Sequence, residues 1–184
     1  MKRLINPIAL ALALSTTLHV SSVAAAEPAV LAATAQSQPA ADQKSGVSWK
    51  TVATQSITAA GVDFKYRELG KHNGGTPVVF LTHLAAVLDN WDPRLIDAIA
   101  AKHHATAFDD RGIGGSSGSP ANSIEQMADD AIIFIKAMGL KQVDLLGFSL
   151  GGMVAQEVVL KEPQLVRKMV LAGTGPAGGE GIST

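Results

Sequence analysis

The stretch Gln142–Leu160, QVDLLGFSLGGMVAQEVVL, constrains the fold more tightly than any other part of this chain. Val143–Leu146 is a short apolar run of the kind that forms a buried parallel strand. Met153, Val154, Val158 and Val159 then recur at helical spacing. Between the two stands only Gly147-Phe148-Ser149-Leu150-Gly151, a G-x-S-x-G pentapeptide. A strand that becomes a helix across one residue forces that residue into strained backbone angles. Side chains two positions to either side would collide with the turn, and Gly147 and Gly151 leave that space empty. Ser149 is thereby lifted to the carboxyl edge of a sheet, at a helix N-terminus. There the Leu150 N–H can face a developing oxyanion. Strand, serine turn and helix have the form of a nucleophile elbow. A plain strand–helix turn with no chemistry is the alternative that the pentapeptide alone leaves open.

A chain of 184 residues with 47% hydrophobic residues suffices for one domain with a real core. The net charge is -1, and Lys2-Arg3 is the one basic run, which argues against nucleic acid as a partner. Aromatic residues, at 4%, are too sparse for base- or sugar-stacking platforms. The absence of cysteine excludes a disulfide framework, a thiolate metal site, a cysteine nucleophile and a lipoprotein anchor.

Residues 1–26 read as a cleaved secretory signal. Lys2 and Arg3 form its positive start, Ile8–Leu14 its apolar centre and Val23–Ala26 its small-residue cleavage region. A membrane span needs about 20 uninterrupted apolar residues, whereas Ser15, Thr16, Thr17 and His19 interrupt this one. The mature protein is therefore expected to be exported, periplasmic or secreted, without stable membrane insertion. Residues 27–47 are rich in Ala, Gln, Ser and Pro and read as a flexible segment. The domain occupies residues 48–184.

Trp49–Ala59 and Val62–Leu69 are predicted as two antiparallel strands joined at Ala60-Gly61. Val62, Phe64 and Tyr66 alternate with charged residues, as in a sheet with one solvated face. Thr76–Thr82 is continuously apolar at its centre, like a strand covered on both sides. Asp92 as N-cap and Pro93 at the first helical position open a helix. Ala105–Phe108 is a short strand running into the turn-rich Asp109–Gly118. Ser123–Gln126 is a capping box for a helix that Gly139 ends. Val166–Ala172 is the last strand. Alternation of this kind means a mostly parallel sheet with helices on both faces. Ligands then sit at the carboxyl ends of the strands, where His83, Asp109 and Ser149 fall.

Over roughly Trp49–Thr184 the chain resembles the α/β-hydrolase fold family. The likeness rests on GFSLGG, on the apolar strand ending at His83 and on Phe108–Gly118, which is similar to the turn D-x-R-G-x-G-x-S. Within the family, Ser149–Gly152 and that turn resemble the branch of small esterases, cofactor-free haloperoxidases (perhydrolases) and proline-iminopeptidase-like enzymes. The resemblance implies an α/β-hydrolase-type fold with an N-terminal antiparallel hairpin, truncated before the last strands. It also implies Ser149 as nucleophile and the Leu150 N–H as one oxyanion donor. The loop after the third strand supplies the second, and Ala85 is the candidate. Leu84 stands where a glycine usually follows the histidine, so this loop is expected to turn differently. His83 is expected to be structural, Asp109, Asp110 and Arg111 to stabilise their turn, and Trp91 to anchor the core.

The family's triad runs Ser, then Asp or Glu, then His. After Ser149 the sequence holds no histidine and no aspartate, only Glu157, Glu162 and Glu180. His103 and His104 close a helix before the fourth strand and are not expected to reach Ser149. The expectation is an exported serine hydrolase of small esters or amides, represented here by its N-terminal part. A perhydrolase, a non-catalytic binding protein or a fragment on the same scaffold are the alternatives. A small ester-like molecule is the expected partner. No metal or organic cofactor is implied, and the Gly112–Gly118 glycines open no helix that would cradle phosphate.

Overall fold

The computed structural model describes residues 46–178. The expected signal peptide, residues 1–26, and most of the segment 27–47 lie outside the described residues, as does Glu180.

The fold begins with a hairpin, β1 (Gln55–Ala59) against β2 (Val62–Leu69), with Ala59 paired to Val62. The turn residues Ala60 (φ 48°) and Gly61 (φ 78°) are both left-handed, as a two-residue turn matched to strand twist requires. The first strand is shorter than predicted, because residues 49–54 are turn and coil. Trp49 is drawn out of strand geometry by two remote partners. Its backbone N–H donates to Asp97 Oδ1 (2.6 Å) and its indole Nε1–H to the Leu88 carbonyl (3.0 Å). An indole buried with its donor satisfied is a strong anchor.

Next come β3 (Val78–Leu81), α1 (Pro93–Ala100), β4 (Ala105–Phe108), α2 (Ile124–Ala137), β5 (Val143–Phe148), α3 (Leu150–Lys161) and β6 (Val166–Ala172). The helix signals act as predicted. Asp92 accepts from the Arg94 N–H at 2.9 Å, Ser123 Oγ from the Gln126 N–H at 3.2 Å, and Gly139 is left-handed at φ 74°. The capping box is displaced by one residue, since Gln126 Oε1 accepts from Asn122 rather than Ser123.

The six strands lie in the order β1-β2-β4-β3-β5-β6. The pairs β1–β2 and β2–β4 are antiparallel, and β4–β3, β3–β5 and β5–β6 are parallel. Period-two alternation along the strands divides the core between two faces. On one, Val79, Leu81, Val143 and Leu145 pack under α2 and α3. On the other, Phe80, Ala105 and Ala107 pack with Trp49, Trp91 and Ile96 of α1. The few aromatics are concentrated where β2 and β4 meet α2. Phe108 stacks on Phe134 at 4.3 Å, and Phe64 meets Phe108 edge-on at 5.8 Å. Each such ring contributes about 1.5–3 kcal/mol by burial.

Candidate active site

The parallel strands β3, β4 and β5 end at one edge, and each carries a sequence-predicted residue there. Ser149 follows β5 with φ 54° and ψ −118°, and α3 begins at the next residue. This backbone is strained for any residue with a side chain and is held from both directions. The Ser149 N–H donates to the Ala172 carbonyl at the end of β6, and its own carbonyl accepts from the Gly152 N–H, each at 2.9 Å. The Oγ has no hydrogen-bond partner among the described residues. Nor does the Leu150 amide, which opens α3 where the helix dipole is positive.

The glycines around Ser149 are fixed by close approaches that differ from one to the next. A Cβ on Gly147 would lie 2.5 Å from the Gly151 carbonyl oxygen, within the turn itself. One on Gly151 would meet not the turn but β3, 2.1 Å from the Leu81 carbonyl oxygen. Gly152, absent from the predicted site, admits the side chain of Thr174, which a Cβ there would reach at 2.3 Å. Thr174 thereby seats the chain after β6 on the first turn of α3, and Gln156 Nε2 donates to the Gly175 carbonyl alongside (2.9 Å). The doubled glycine was the one sequence sign of this contact.

β3 pairs with β5 in a register that sets Leu81 opposite Gly147, so the loop after β3 starts level with Ser149. The His83 ring stands edge-on to Phe148 at 5.6 Å, and its Nδ1 lies 3.1 Å from the Leu84 carbonyl oxygen. A carbonyl only accepts, so Nδ1 carries the proton and turns this peptide toward the ring. In a trans peptide the N–H opposes the C=O, and the Ala85 amide therefore points away from His83. Ala85 itself is left-handed at φ 57°. Leu84, in the place where the family pattern has glycine, is turned outward, 73% exposed, and the left-handed residue is its neighbour Ala85. No hydrogen bond occupies the Ala85 amide among the described residues.

Asp109, Asp110 and Arg111 end β4 on the same edge. Asp109 is buried, accepting from the Leu88 N–H (2.8 Å) and the Gly115 N–H (2.9 Å). Arg111 Nε donates to Asp130 Oδ2 of α2 at 2.8 Å in a bidentate pair. Asp110 has no such partner among the described residues. Burial, and then the carboxylates of Asp130 and Asp109, push its pKa up to about 6. Trp91 is a core residue, edge-on to Phe80 at 5.2 Å. His104 sits at the opposite end of β4, buried with Glu68, its Nε2 2.9 Å from Oε2. Glu162 closes α3 and pairs with Lys136 at 2.7 Å. His104 and Glu162 thus stand at the ends of β4 and α3 away from the edge that carries Ser149.

The profile of the alpha/beta hydrolase fold family matches residues 76–181. Over 101 residues the chain is 31% identical to a putative non-heme bromoperoxidase, BpoC, of Mycobacterium tuberculosis, covering 54% of this chain and 38% of that protein. It is 31% identical to human serine hydrolase BPHL over 128 residues, 67% of this chain and 43% of that protein. An alpha/beta hydrolase fold protein from Chitinophaga pinensis superposes with a TM-score of 0.66 at 34% identity, over 68% of this chain and 45% of that one. The chain thus spans about two fifths of the length of these curated relatives. With the strand order and the serine turn described above, these matches show that the chain belongs to the alpha/beta hydrolase fold family.

Proposed function

We propose that this chain carries the nucleophile half of an exported serine hydrolase that cleaves small esters or amides through an acyl-enzyme on Ser149. In this reading Ser149 Oγ attacks the substrate carbonyl and gives its proton to a histidine base that is not among the described residues near it. The tetrahedral oxyanion is held by the Leu150 and Ala85 amides. Its collapse expels the alcohol or amine, which takes the proton from the base, and water then releases the acid. Each oxyanion donor contributes about 10²–10³ in rate.

The observation that carries the reading is the backbone of Ser149. A non-glycine residue at φ 54° and ψ −118°, between a strand and a helix, persists where its side chain must be presented. The unoccupied Leu150 amide beside it supports the same reading, as does the human relative's description as a serine hydrolase. Export rests on the sequence pattern of residues 1–26. The bromoperoxidase likeness favours a second reading with the same acyl-enzyme, in which peroxide replaces water as acyl acceptor.

The test uses the full-length gene product. Hydrolysis of a p-nitrophenyl ester and labelling by a fluorophosphonate should both be lost in Ser149→Ala. Retention of either at the wild-type level overturns the serine reading. Added peroxide competing with water for the acyl group would select the second reading.

A further inference from the structure

Leu88 is held from two sides by residues remote in sequence. Its N–H donates to Asp109 Oδ1 at 2.8 Å, and its carbonyl accepts from the Trp49 indole at 3.0 Å. Its side chain is buried, 4% exposed. It therefore pins the far end of the loop that leaves β3 at Thr82 and carries Ala85. Between the two fixed ends the chain makes one tight turn, closed by the Ala86 N–H on the His83 carbonyl at 3.2 Å. With the ends fixed, few backbone settings remain to Ala85, which takes a left-handed one.

The carboxylate that grips Leu88 is itself fully engaged. Asp109 Oδ2 accepts from the Gly115 N–H (2.9 Å), its carbonyl accepts from Ser116 Oγ (2.7 Å) and its N–H donates to the Lys65 carbonyl (2.8 Å). Gly114 leaves room for it, since a Cβ there would lie 2.3 Å from Oδ2. A buried carboxylate with both oxygens on backbone amides of different loops is an expensive feature if its task is one turn, because burial without full pairing is costly. Closing the Asp109–Gly118 turn would need only the bond to Gly115. The second bond crosses to the β3 loop.

We propose that Asp109 is a positioning residue for the reaction at Ser149: through Leu88 it fixes the loop that presents the Ala85 amide to the oxyanion. The proposal rests on the serine-hydrolase reading for its kinetic consequence and on the Asp109–Leu88 bond for its structural one. The two can be tested apart. In the full-length gene product, Asp109→Asn should lower kcat for a p-nitrophenyl ester about 10–100-fold with KM held within about twofold, since misplacing a donor weakens the transition state alone. Asp109→Ala, which keeps neither acceptor, should fall further. Hydrogen–deuterium exchange supplies the readout that activity does not. The hydrogen-bonded amides of residues 86–88 should exchange about tenfold faster in the Asp109 variants, with β5 and α3 unchanged.

Unchanged exchange at 86–88 in both Asp109 variants, or an equal rise throughout the sheet, overturns the proposal whatever the kinetics. A wild-type kcat with faster loop exchange also overturns it. If neither Asp109 variant folds, Trp49→Phe releases the other hold on Leu88 and should produce the same local rise. Hydrolysis that survives Ser149→Ala would instead sink the serine reading, and the exchange measurement would then decide the clamp alone.

Discussion

The carbonyl oxygen of Leu81 occupies the space that a side chain on Gly151 would need. A Cβ there would lie 2.1 Å from it and 2.6 Å from the Thr82 carbonyl oxygen, so the end of β3 and the first turn of α3 touch backbone to backbone. Neither group can swing aside as a side chain could. Gly151→Ala should therefore destabilise the domain by at least about 1–3 kcal/mol, the usual cost of overpacking, and should lower the yield of soluble protein. Gly152→Ala meets Thr174 instead, whose Cβ would lie 2.6 Å away where no rotamer change moves it, so the coil after β6 must shift; that coil lies outside the sheet, and the cost should be lower. Urea midpoints of the two variants, measured side by side, check the order.

Strain at Ser149 gives a second expectation, with stability and activity moving in opposite directions. Its φ of 54° with ψ −118° costs about 1–3 kcal/mol for a residue with a Cβ and little for glycine. Ser149→Gly should therefore be more stable than Ser149→Ala by about 1 kcal/mol, despite the larger entropy of its unfolded chain. Both should be inactive in the full-length product. Denaturant melts of the two variants, compared with wild type, test this. An Ala variant as stable as the Gly variant would show that the turn stores no strain.

What could be read from the residues was whatever is settled within a few positions. Asp92, Ser123 and Gly139 marked helix ends because caps act within one turn, and Ala105–Phe108 stood out as a short strand running into a stretch of turn residues. The serine turn was legible for the same reason, its strand, glycines and helix being contiguous. The predicted strand at Trp49 failed because Asp97 and Leu88, far along the chain, set that residue's conformation. Likewise Asp109 could be placed in a turn but not joined to Leu88, and the doubled glycine at Gly152 signalled a close contact without naming Thr174. Contacts across the sheet edge have no local signature, and the assembly of the site consists of them.

Asp110 links the same edge to pH. Burial and the neighbouring carboxylates of Asp130 and Asp109 raise its pKa to about 6, against an ordinary value near 4. Between about pH 4 and 6 the native state therefore holds a proton that the unfolded chain has released. Stability must fall as pH rises through that window and level off above it. The effect is about 1–3 kcal/mol. Asp110→Asn is neutral at every pH, so it should exceed wild type in stability at pH 7.5 by about that amount and match it near pH 4. Urea midpoints for both proteins at pH 4.5, 5.5 and 7.5 give the difference free of other titrations. Parallel curves would mean that Asp110 ionises in the folded protein as it does in water.

The outer edge of β6 presents a different hazard. Among the described residues no strand pairs beyond it, and Val170 and Leu171, on opposite faces, are 55% and 43% exposed. Charge guards only its first half, where Arg167 and Lys168 stand and Arg167 pairs with Asp144. Met169–Ala172 has unpaired edge amides and no charged side chain, which is the composition that recruits further strands. The 184-residue chain expressed alone should therefore associate at micromolar concentration, with a weight-average mass that rises with concentration in sedimentation. A Val170→Lys, Leu171→Glu variant should sediment closer to the monomer. Because both side chains are solvent-facing, it should melt within about 0.5 kcal/mol per site of the wild-type chain at low concentration. A wild-type chain that stays monomeric and melts cooperatively would show that the β6 edge is protected by groups other than those on the strand itself.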